Sequence, residues 1–411
     1  MSGYLNNNKK EECFGCEACA QACPKNAITM IEDNEGFRYP VVDLELCTHC
    51  NICHKVCPKE NFIKLESELK YAFGGYNKNI NLLAESTSGG AFSAIVESWC
   101  DENYVIFGAA VEGLNVYHAP VFDKAEISRF RKSKYLQSEM GSAYIDASYF
   151  LKEGKSVLFS GTPCQIAGLK TFLQNQDQSK LLTIEVICEG VPTPHFIRRY
   201  DQWLQKKYTS KIQSLDYRYK DIYKLKKVTS GKWDFQVMYT SLESGKHIKI
   251  DRWLNPFWSI WLNYLMSRPS CYECPFANAE RKADISLGDL WGVHIYCPEL
   301  YGNNTGSSLI ICNTKKGRDA FENSRSNLYG HELDFETATK YQSPMRKHII
   351  MNPNRDKFMQ DVVTMDYKAL CKKWAKKPTI KLLWQKYVWG NRQKVWIWYL
   401  KNRRNIKGGI K

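Results

Sequence analysis

Two cysteine runs with identical spacing lie near the start of the chain. The first reads C-F-G-C-E-A-C-A-Q-A-C-P over residues 13–24, and the second reads C-T-H-C-N-I-C-H-K-V-C-P over residues 47–58. Each run is the C-x2-C-x2-C-x3-C-P pattern of bacterial ferredoxins, whose thiolates bind 4Fe-4S clusters. Because two clusters require short loops wrapped around them, the pattern predicts a small ferredoxin-like domain that transfers electrons.

The spacing also predicts which cysteines share a cluster. Three thiolates held two residues apart can bind three irons of one cubane, whereas the fourth Cys of each run reaches the other cluster. We therefore expect two ligand sets: Cys13, Cys16, Cys19 and Cys57 for the first cluster, and Cys47, Cys50, Cys53 and Cys23 for the second cluster. Zinc ribbons or disulfides are the alternative, but two identical four-Cys runs favour clusters.

The length and the cysteine usage indicate a large, reduced protein. With 411 residues the chain has room for two or three domains and a sizeable core. No apolar signal segment opens the sequence, and no stretch reaches the eighteen apolar residues of a membrane span. We therefore expect a protein of the reducing cytoplasm, in an anaerobic organism.

Composition and the pattern of apolar residues divide the chain into four predicted regions. Residues 1–64 form the ferredoxin module, and residues 366–411 form a basic helical tail. Between them, in regions 71–150 and 151–330, short β-branched runs alternate with helical stretches, and this alternation predicts a largely parallel sheet with crossover helices. The predicted fold class is therefore an α+β ferredoxin-like domain followed by a mixed α/β domain.

Four further cysteines suggest a third metal site. Cys164 follows one predicted strand and opens a helix, Cys188 follows the next strand, and Cys271 and Cys274 form a C-Y-E-C-P pair on a loop. The ends of neighbouring parallel strands meet at the edge where such sheets bind ligands. Four thiolates suit zinc as well as iron, and unrelated structural cysteines remain the alternative.

Several motifs resemble the coenzyme F420 hydrogenase/dehydrogenase beta-subunit family. They are S-G-T-P-C-Q-I-A-G-L at 160–169, K-S-K-Y-L-Q-S at 132–138, S-G-G-A-F at 88–92 and A-D-I-S-L-G-D-L-W-G at 283–292. The resemblance runs from about residue 71 to about residue 314. It implies an FAD-binding domain with its own 4Fe-4S cluster, for which Cys164, Cys188, Cys271 and Cys274 are the ligands.

The flavin contacts that we predict rest mainly on this resemblance. A Gly pair before a helix can present backbone N–H groups to a pyrophosphate, although it is more often a plain turn. The predicted cofactor-binding residues are Ser88, Gly89, Gly90, Lys134, Gln137, Ser138 and Thr162. No catalytic residue is assigned, and Lys134 and Glu189 are the candidates. Glu189 stands where family members commonly have His, so the proton chemistry or the substrate is expected to differ.

The resemblance implies an iron–sulfur flavoprotein oxidoreductase. Electrons from ferredoxin, another donor protein or reduced coenzyme F420 would pass through the clusters to FAD and a small-molecule substrate, because flavin links one-electron and two-electron chemistry. Related chains accompany enzymes of bacterial surface polysaccharides, which is a second substrate context. The alternatives are an electron-relay subunit for a partner enzyme and a zinc-bearing scaffold.

The C-terminal tail is strongly basic and rich in tryptophan. The chain has a formal net charge of +15, and residues 370–411 contain thirteen Lys or Arg with no Asp or Glu. Apolar residues recur at helical spacing between residues 380 and 399. Core packing, contact with the inner face of an anionic membrane and binding of an acidic protein are the three interpretations. Because no nucleic-acid-binding motif accompanies the charge, nucleic acid is not an expected partner.

Overall fold

The computed structural model describes residues 3–61, 69–99, 102–220, 237–301, 306–389, 397 and 400. Strands β1 to β13 run over Ile28–Glu32, Arg38–Val42, Tyr71–Asn77, Tyr104–Glu112, Asn115–Val121, Ser156–Gly161, Leu181–Val186, Ile212–Tyr219, Val237–Leu242, His247–Asp251, Ile285–Asp289, Ser308–Cys312 and Leu328–Leu333. Helices α1 to α16 run over Tyr4–Asn7, Ala18–Ala22, Ile52–Lys55, Ile80–Ala84, Ala91–Ser98, Ala143–Lys152, Pro163–Phe172, His195–Tyr208, Pro256–Trp261, Val293–Tyr296, Pro298–Tyr301, Lys315–Ser324, Phe335–Lys340, Arg355–Thr364, Tyr367–Trp374 and Ile380–Tyr387. Short 3-10 turns lie at Lys10–Glu12, Lys124–Phe130, Arg252–Leu254, Pro269–Glu273, Arg325–Asn327 and Ser343–Met345.

A mixed sheet forms the centre of the molecule. Within the described ranges it has eight strands in the order β13-β3-β12-β11-β7-β6-β4-β5. The middle strands β11, β7, β6 and β4 are parallel, whereas β5 on one side and β12, β3 and β13 on the other pair antiparallel. Strands β6 and β7 are runs of buried apolar residues, as expected where helices cover both faces. The carboxyl ends of β6 and β7 therefore meet at one edge of the sheet.

The ferredoxin module lies against this sheet domain, which we call the body (residues 69–364). Its strands β1 and β2 form an antiparallel pair, and the short helices α2 and α3 each follow a cysteine loop. Helix α2 contacts α6 and α7 of the body. Among the residues with described positions, three ion pairs connect the module to the body: Glu35 with Arg355, Glu32 with Arg198, and Arg38 with Glu139.

A second core lies beside the ferredoxin module. The antiparallel strands β8, β9 and β10 form a small sheet, and helices α8, α9, α14 and α15 pack together with it. Phe37 and Tyr39 of the module are buried in the same apolar cluster. Within the predicted tail, α15 belongs to this core because Leu370 is fully buried and Trp374 Nε1 donates to Asp361.

The predicted fold class is confirmed: a ferredoxin-type module precedes a mixed α/β domain whose central strands are parallel. In the part of the chain with described positions, no helix is both long enough and apolar enough to cross a bilayer.

Candidate functional site

Four cysteines from three separate segments line one cleft. Cys164 lies in the first turn of α7, Cys188 follows β7, and Cys271 and Cys274 lie at the Pro269–Glu273 turn. The empty volume of the cleft is about 640 Å³, part of it open to solvent. The fold thus brings together the four residues that the sequence predicts as a third metal site.

The four thiols lie within electrostatic reach of one another in a water-poor setting. Burial raises the pKa of every one of them, that of Cys271 to about 11 and that of Cys274 to about 12. The neighbouring thiols add to the shift of Cys188, Cys271 and Cys274. A bound metal stabilises the thiolate form, so these groups fit the ligand chemistry of a metal centre.

The donor set of the cleft fits a cubane. In a 4Fe-4S cluster each of four thiolates binds a different iron, and the cleft presents four thiols. Four thiolates also suit a single zinc ion, which is the alternative.

The thiols of the two N-terminal cysteine runs lie near one another. The thiol of Cys16 interacts electrostatically with Cys13, Cys19 and Cys57, the other members of the predicted first ligand set. Cys53 interacts with Cys50 and Cys23 of the predicted second set, and Cys19 interacts with Cys53 as well, so the two predicted sets adjoin. The assignment of each cysteine to one cluster stays a prediction. Cys47 is partly buried at the start of the second run, and Cys50 is exposed to solvent.

A single apolar layer separates the first N-terminal site from the cleft. Phe14 of the first cysteine run meets Phe276 edge-on, with ring centroids 5.1 Å apart. These two rings and Ala167 form a buried cluster against which Cys164 and Cys274 pack. The first N-terminal cluster and the third cluster would therefore be neighbours.

A buried polar network positions the turn of chain that carries Cys164. Pro163 opens α7, and the Gln165 side chain accepts a hydrogen bond from the Thr162 N–H at 3.0 Å, as in a capping box. Gln165 Nε2 donates to Ser138 Oγ at 2.9 Å, and Ser138 Oγ lies 2.9 Å from His118 Nδ1. Thr162 Oγ1 also lies 3.1 Å from the Cys164 sulfur. Thr162 and Ser138, both predicted as flavin contacts, thus lie around the Cys164 turn.

Gln137, a third predicted flavin contact, reaches the ferredoxin module. Its Nε2 atom donates to the carbonyl oxygens of Phe14 at 2.8 Å and Gly15 at 3.1 Å. Its Oε1 atom accepts a hydrogen bond from Arg268 Nη1 at 3.2 Å. Gln137 therefore links the first cysteine run to the wall of the cleft.

The other predicted flavin contacts lie in a different place. Gly89 N–H donates to Ser308 Oγ, and Ser88 Oγ donates to the Ser307 carbonyl oxygen. A Cβ atom on Gly89 would lie 2.4 Å from the Gly75 carbonyl oxygen, so strand packing alone requires glycine there. Gly90 has φ +74° and precedes α5, whose N-terminus no side chain caps. Thr87 Oγ1 accepts from the Ser133 N–H, which joins this loop to the segment of Lys134.

A group of basic side chains includes Lys220, which contacts the Ser88–Gly90 loop. We call it the basic cluster, and it consists of Lys132, Lys134, Arg218, Lys220 and Arg252. Lys220 is buried and donates to the carbonyl oxygens of Leu83 and Ser88, while burial lowers its pKa well below the usual value. Lys134 donates to the carbonyl oxygens of Arg129 and Arg131, and burial, followed by the charge of Lys132, lowers its pKa to about 7.

Carboxylates balance the basic cluster only in part. Lys132 pairs with Asp216 at 2.6 Å, and Arg218 pairs with Asp289 at 2.6 Å, whereas the buried Nε atom of Arg218 has no hydrogen-bond acceptor among the residues with described positions. Lys220 interacts electrostatically with both carboxylates. The cluster is therefore suited to an anionic ligand.

Glu189 connects the cysteine cleft with the basic cluster. It lines the cleft beside Cys188, accepts a hydrogen bond from the Tyr264 hydroxyl at 3.0 Å and interacts with Arg252 of the basic cluster. Burial raises the pKa of Glu189, which is the condition under which a carboxyl group can exchange protons near neutral pH. The candidate site is thus continuous from the cysteine cleft to the basic cluster.

Sequence reasoning missed several residues of this site, namely Arg218, Lys220, Arg252, Tyr264 and Arg268. The first two lie in or just after a strand that is polar in sequence, and basic residues in such a strand are usually solvated. Arg268 precedes Cys271 by only three residues, and this short distance in the sequence could have identified it as part of the site. Arg281 supports the Cys274 loop by donating to the Phe276 and Asn278 carbonyl oxygens.

Comparisons with known proteins place this site in context. Residues 154–337 match the family model for the C-terminal part of the beta subunit of coenzyme F420 hydrogenase/dehydrogenase, and residues 12–61 match the 4Fe-4S dicluster domain. No curated protein sequence matches the chain. A chain of the F420-reducing NiFe hydrogenase complex from Methanosarcina barkeri, studied by xenon derivatization, is similar with 14% sequence identity and a TM-score of 0.42; the match covers 75% of this chain and 93% of that chain.

The two family matches confirm the resemblance that the sequence motifs indicate. The matched ranges are residues 12–61 for the dicluster domain and residues 154–337 for the C-terminal part of the beta subunit, and over these ranges the chain is similar to iron–sulfur oxidoreductase subunits. The second range contains all four cysteines of the cleft as well as Arg218, Lys220 and Glu189.

Proposed function

We propose that this chain, which joins a 4Fe-4S dicluster domain to a coenzyme F420 hydrogenase/dehydrogenase beta-subunit region, is an iron–sulfur flavoprotein oxidoreductase. The observation that carries the proposal is the meeting of Cys164, Cys188, Cys271 and Cys274 in one cleft. The first ferredoxin site lies one apolar layer away from that cleft. Three clusters would then form a continuous route for single electrons.

The basic cluster is the part of the chain that fits an anionic dinucleotide. Within the described ranges, the buried Nε atom of Arg218 has no acceptor and no side chain caps the N-terminus of α5, which lies beside the loop that Lys220 contacts. These groups would hold the phosphates of FAD. A bound flavin exchanges single electrons with clusters and electron pairs with organic substrates. The chain itself would supply positive charge at the phosphates and a buried carboxyl group, Glu189, beside the cleft.

A small molecule is the proposed substrate, and a ferredoxin or another redox protein is the proposed electron donor. Coenzyme F420 is one candidate because it appears in the description of the matching family. An intermediate of surface polysaccharide synthesis is the other candidate, which follows from the family resemblance alone. Turnover assays with both classes under anaerobic conditions would choose between them.

Iron and flavin content of the anaerobically purified chain tests the proposal. We expect about twelve irons and one FAD per chain, because three cubanes contain about four irons each. Cys164→Ser and Cys271→Ser should each lower the iron content by about four and leave the N-terminal pair visible by EPR. Cys371→Ser is the matched control, since this partly buried thiol lies outside the cleft. Eight irons in the unchanged chain would contradict the third cluster.

Flavin binding is tested at the basic cluster. We expect Lys220→Met to lower the flavin content by tenfold or more while the iron content stays the same, because the variant removes the amine that donates to the Ser88 carbonyl oxygen and so loosens the loop at the proposed phosphate site. Lys180→Met is the control, since Lys180 also donates to a backbone carbonyl oxygen but lies on the surface, away from the cluster. Equal loss of flavin in both variants would contradict this site.

A relay subunit without a substrate of its own is the second candidate function. The observation that favours it is the exposed face around the second cluster, where Cys50 is accessible and Leu44 and Leu46 are 73% and 52% exposed. Such an apolar face is typical of a docking site for a redox partner. Substrate turnover by the isolated chain would exclude this candidate.

The end of the chain is proposed to contact an anionic membrane surface. In α16 and just beyond it, Ile380, Trp384 and Val388 recur every four residues and are 86%, 58% and 48% exposed. Of the remaining predicted stripe, Val395, Trp398 and Tyr399 lie outside the described residues. An exposed apolar stripe in a basic segment is the pattern of an interfacial helix.

Sedimentation with anionic liposomes tests the membrane proposal. The truncation should follow Lys377, because α15 belongs to the second core and must remain. We expect the truncated chain to stop sedimenting with anionic vesicles but to keep its iron and flavin. Undiminished sedimentation would contradict the proposal, and binding of an acidic protein would then become the favoured interpretation.

A further inference from the structure

Arg268 is a buried cation that lies between two metal sites. Its side chain is 1% exposed, and among the described residues no carboxylate lies within ion-pair distance of it. Its Nε donates to the Cys13 carbonyl oxygen at 2.9 Å, and one Nη donates to the Arg38 carbonyl oxygen at 3.0 Å. The other Nη donates to Gln137 at 3.2 Å. A buried charge of this kind requires a counter-charge from another source.

Thiols of two proposed metal sites supply the negative charge near Arg268. Arg268 Nη2 lies 3.5 Å from the Cys13 sulfur, which belongs to the first ferredoxin site. Arg268 also interacts electrostatically with Cys271 and Cys164 of the cleft. It lines that cleft. A single guanidinium group is therefore close to ligands of both sites.

Two aromatic rings and the first cysteine run pack around the guanidinium group of Arg268 and shield it from solvent. Its plane lies over Tyr39, 4.3 Å from the ring centroid, and 5.6 Å from the centroid of Phe37. A Cβ atom on Gly15 would lie 2.8 Å from Arg268 Nη1, so the first cysteine run approaches the charge directly. In such a low-dielectric setting a fixed charge acts more strongly than at the surface.

We propose that Arg268 is the shared counter-ion of the first N-terminal cluster and the cleft cluster. This inference rests on the proposed three-cluster function. A cubane held by four thiolates gains negative charge when one electron arrives, so a nearby cation favours the reduced form and raises the reduction potential. One residue would thus raise the potentials of the two neighbouring clusters together.

The position of Arg268 also indicates which ligand sets would adjoin. Cys13, Cys16, Cys19 and Cys57 would hold the first cluster, the cleft cysteines would hold the other, and Arg268 contacts Cys13 and lines the cleft. Such clusters would supply one-electron transfer, with the electron coming from the external donor protein. The exposed Cys50 would leave the second cluster accessible to that donor.

Redox titration of the full-length chain, followed by EPR without oxygen, tests this role. We expect Arg268→Gln to shift the one-electron reduction equilibria of the first and the cleft cluster towards the oxidised form by at least tenfold, which corresponds to about 59 mV. The second cluster serves as the internal reference and should not shift. The Cys271→Ser background, which removes the cleft cluster, identifies the signals of the N-terminal pair.

Two further variants separate charge from structure. Arg268→Lys keeps the charge but loses the forked hydrogen bonds, so its potentials should remain within about threefold of the unchanged chain even if its thermal stability falls. Arg198→Gln removes a cation that joins the same two parts of the molecule through Glu32, far from any thiol. It should leave all three potentials unchanged.

Several outcomes would overturn the proposal. A shift in Arg268→Lys as large as the expected tenfold change would show that charge is not the determinant, and this result decides the matter even if Arg268→Gln fails to fold. Equal shifts of all three clusters in Arg268→Gln would indicate a general structural effect. Twelve irons with unchanged potentials would overturn only the role of Arg268. Eight irons in the unchanged chain would overturn the proposed function as well.

Discussion

Two glycines allow the ferredoxin module to come close to the cleft. A Cβ atom on Gly168 of α7 would lie 3.0 Å from Cys16 Cβ and 3.1 Å from Cys16 Sγ. Gly15 has φ +64°, a conformation that side chains rarely adopt, and it lies against Arg268. Single residues without side chains thus set the distance between the first cluster site and the body.

His118 predicts a pH dependence at the residue scale. It is buried, its Nε2–H donates to the Ser160 carbonyl oxygen at 2.8 Å, and burial lowers its pKa to about 4, with a smaller effect from the charge of Lys134. In the unfolded chain the His118 ring is protonated as the pH falls below about 6.5, whereas in the folded chain it stays neutral down to about pH 4. The stability of the fold that depends on neutral His118 is therefore complete above pH 6.5 and is lost as the pH falls towards 4.

We expect this group to lower the free energy of unfolding by about 1 kcal/mol between pH 6.5 and pH 5.5. His118→Gln should be less stable than the unchanged chain at pH 7.5, and the difference should narrow at pH 5.5. Thermal unfolding midpoints of the anaerobic protein at pH 7.5, 6.5 and 5.5 would measure the effect. A difference that stays constant over this range would contradict the prediction.

Helix α7 is the element that joins the two metal sites. Its first turn carries Cys164, and its middle, at Gly168, faces Cys16. Its capping residues, Thr162 and Gln165, are tied to Ser138 through hydrogen bonds. A change in the N-terminal cap of α7 should therefore disturb the structure of the cleft more than that of the ferredoxin sites.

We expect Gln165→Leu to destabilise the protein by about 1–3 kcal/mol, because it leaves Thr162 N–H and Ser138 without their buried partner. Iron of the cleft should be lost to a chelator several-fold faster, while the N-terminal pair is retained. Gln174→Leu, at the exposed end of the same chain segment, is the control and should have little effect. Equal rates of iron loss from all sites would argue against a local role for the cap.

At the scale of the whole molecule, the ferredoxin module and the body share a core. Phe37 and Tyr39 of the module are buried in the second core together with residues of α8, β8, β9, α9, α14 and α15. Arg355, 4% exposed, donates to Glu35 of the module at 2.7 Å and to the Ser267 carbonyl oxygen. The contact is therefore continuous with the molecular core.

We expect Glu35→Gln to destabilise the folded chain by about 2–4 kcal/mol, because it leaves the buried Arg355 cation with only the exposed Asp356 as a carboxylate partner. Glu32→Gln breaks the exposed pair with Arg198 and should cost less than about 1 kcal/mol. Thermal unfolding of both variants would measure the difference. Similar midpoints in the two variants would show that the buried pair contributes no more than the exposed one.

Local spacing made the cysteine sites and the central strands predictable. The short β-branched runs at residues 104–111, 156–160 and 182–187 correspond to β4, β6 and β7, because such runs between turn residues carry a local signal for strands. The antiparallel flanks of the sheet were not predicted. Strand partners such as β3 and β12 are more than two hundred residues apart in the chain, and no local pattern records such a pairing.

The positions of the predicted flavin contacts show what local sequence patterns do not predict. Ser88–Gly90 and Lys134 lie at the basic cluster, but Gln137, Ser138 and Thr162 lie around the cysteine cleft. Residues only three positions apart along the chain therefore serve different parts of the site. Motif resemblance identified both groups without separating them.

What the sequence determined by itself is the chemistry of the metal ligands, because thiolate spacing follows from the geometry of a cubane over a few residues. What only the tertiary structure decided is the electrostatic setting of those ligands. Arg268, Lys220 and Glu189 gain their proposed roles from burial and from partners far away in the chain. Desolvation and charge pairing depend on which segments meet, and that information exists only once the chain has folded.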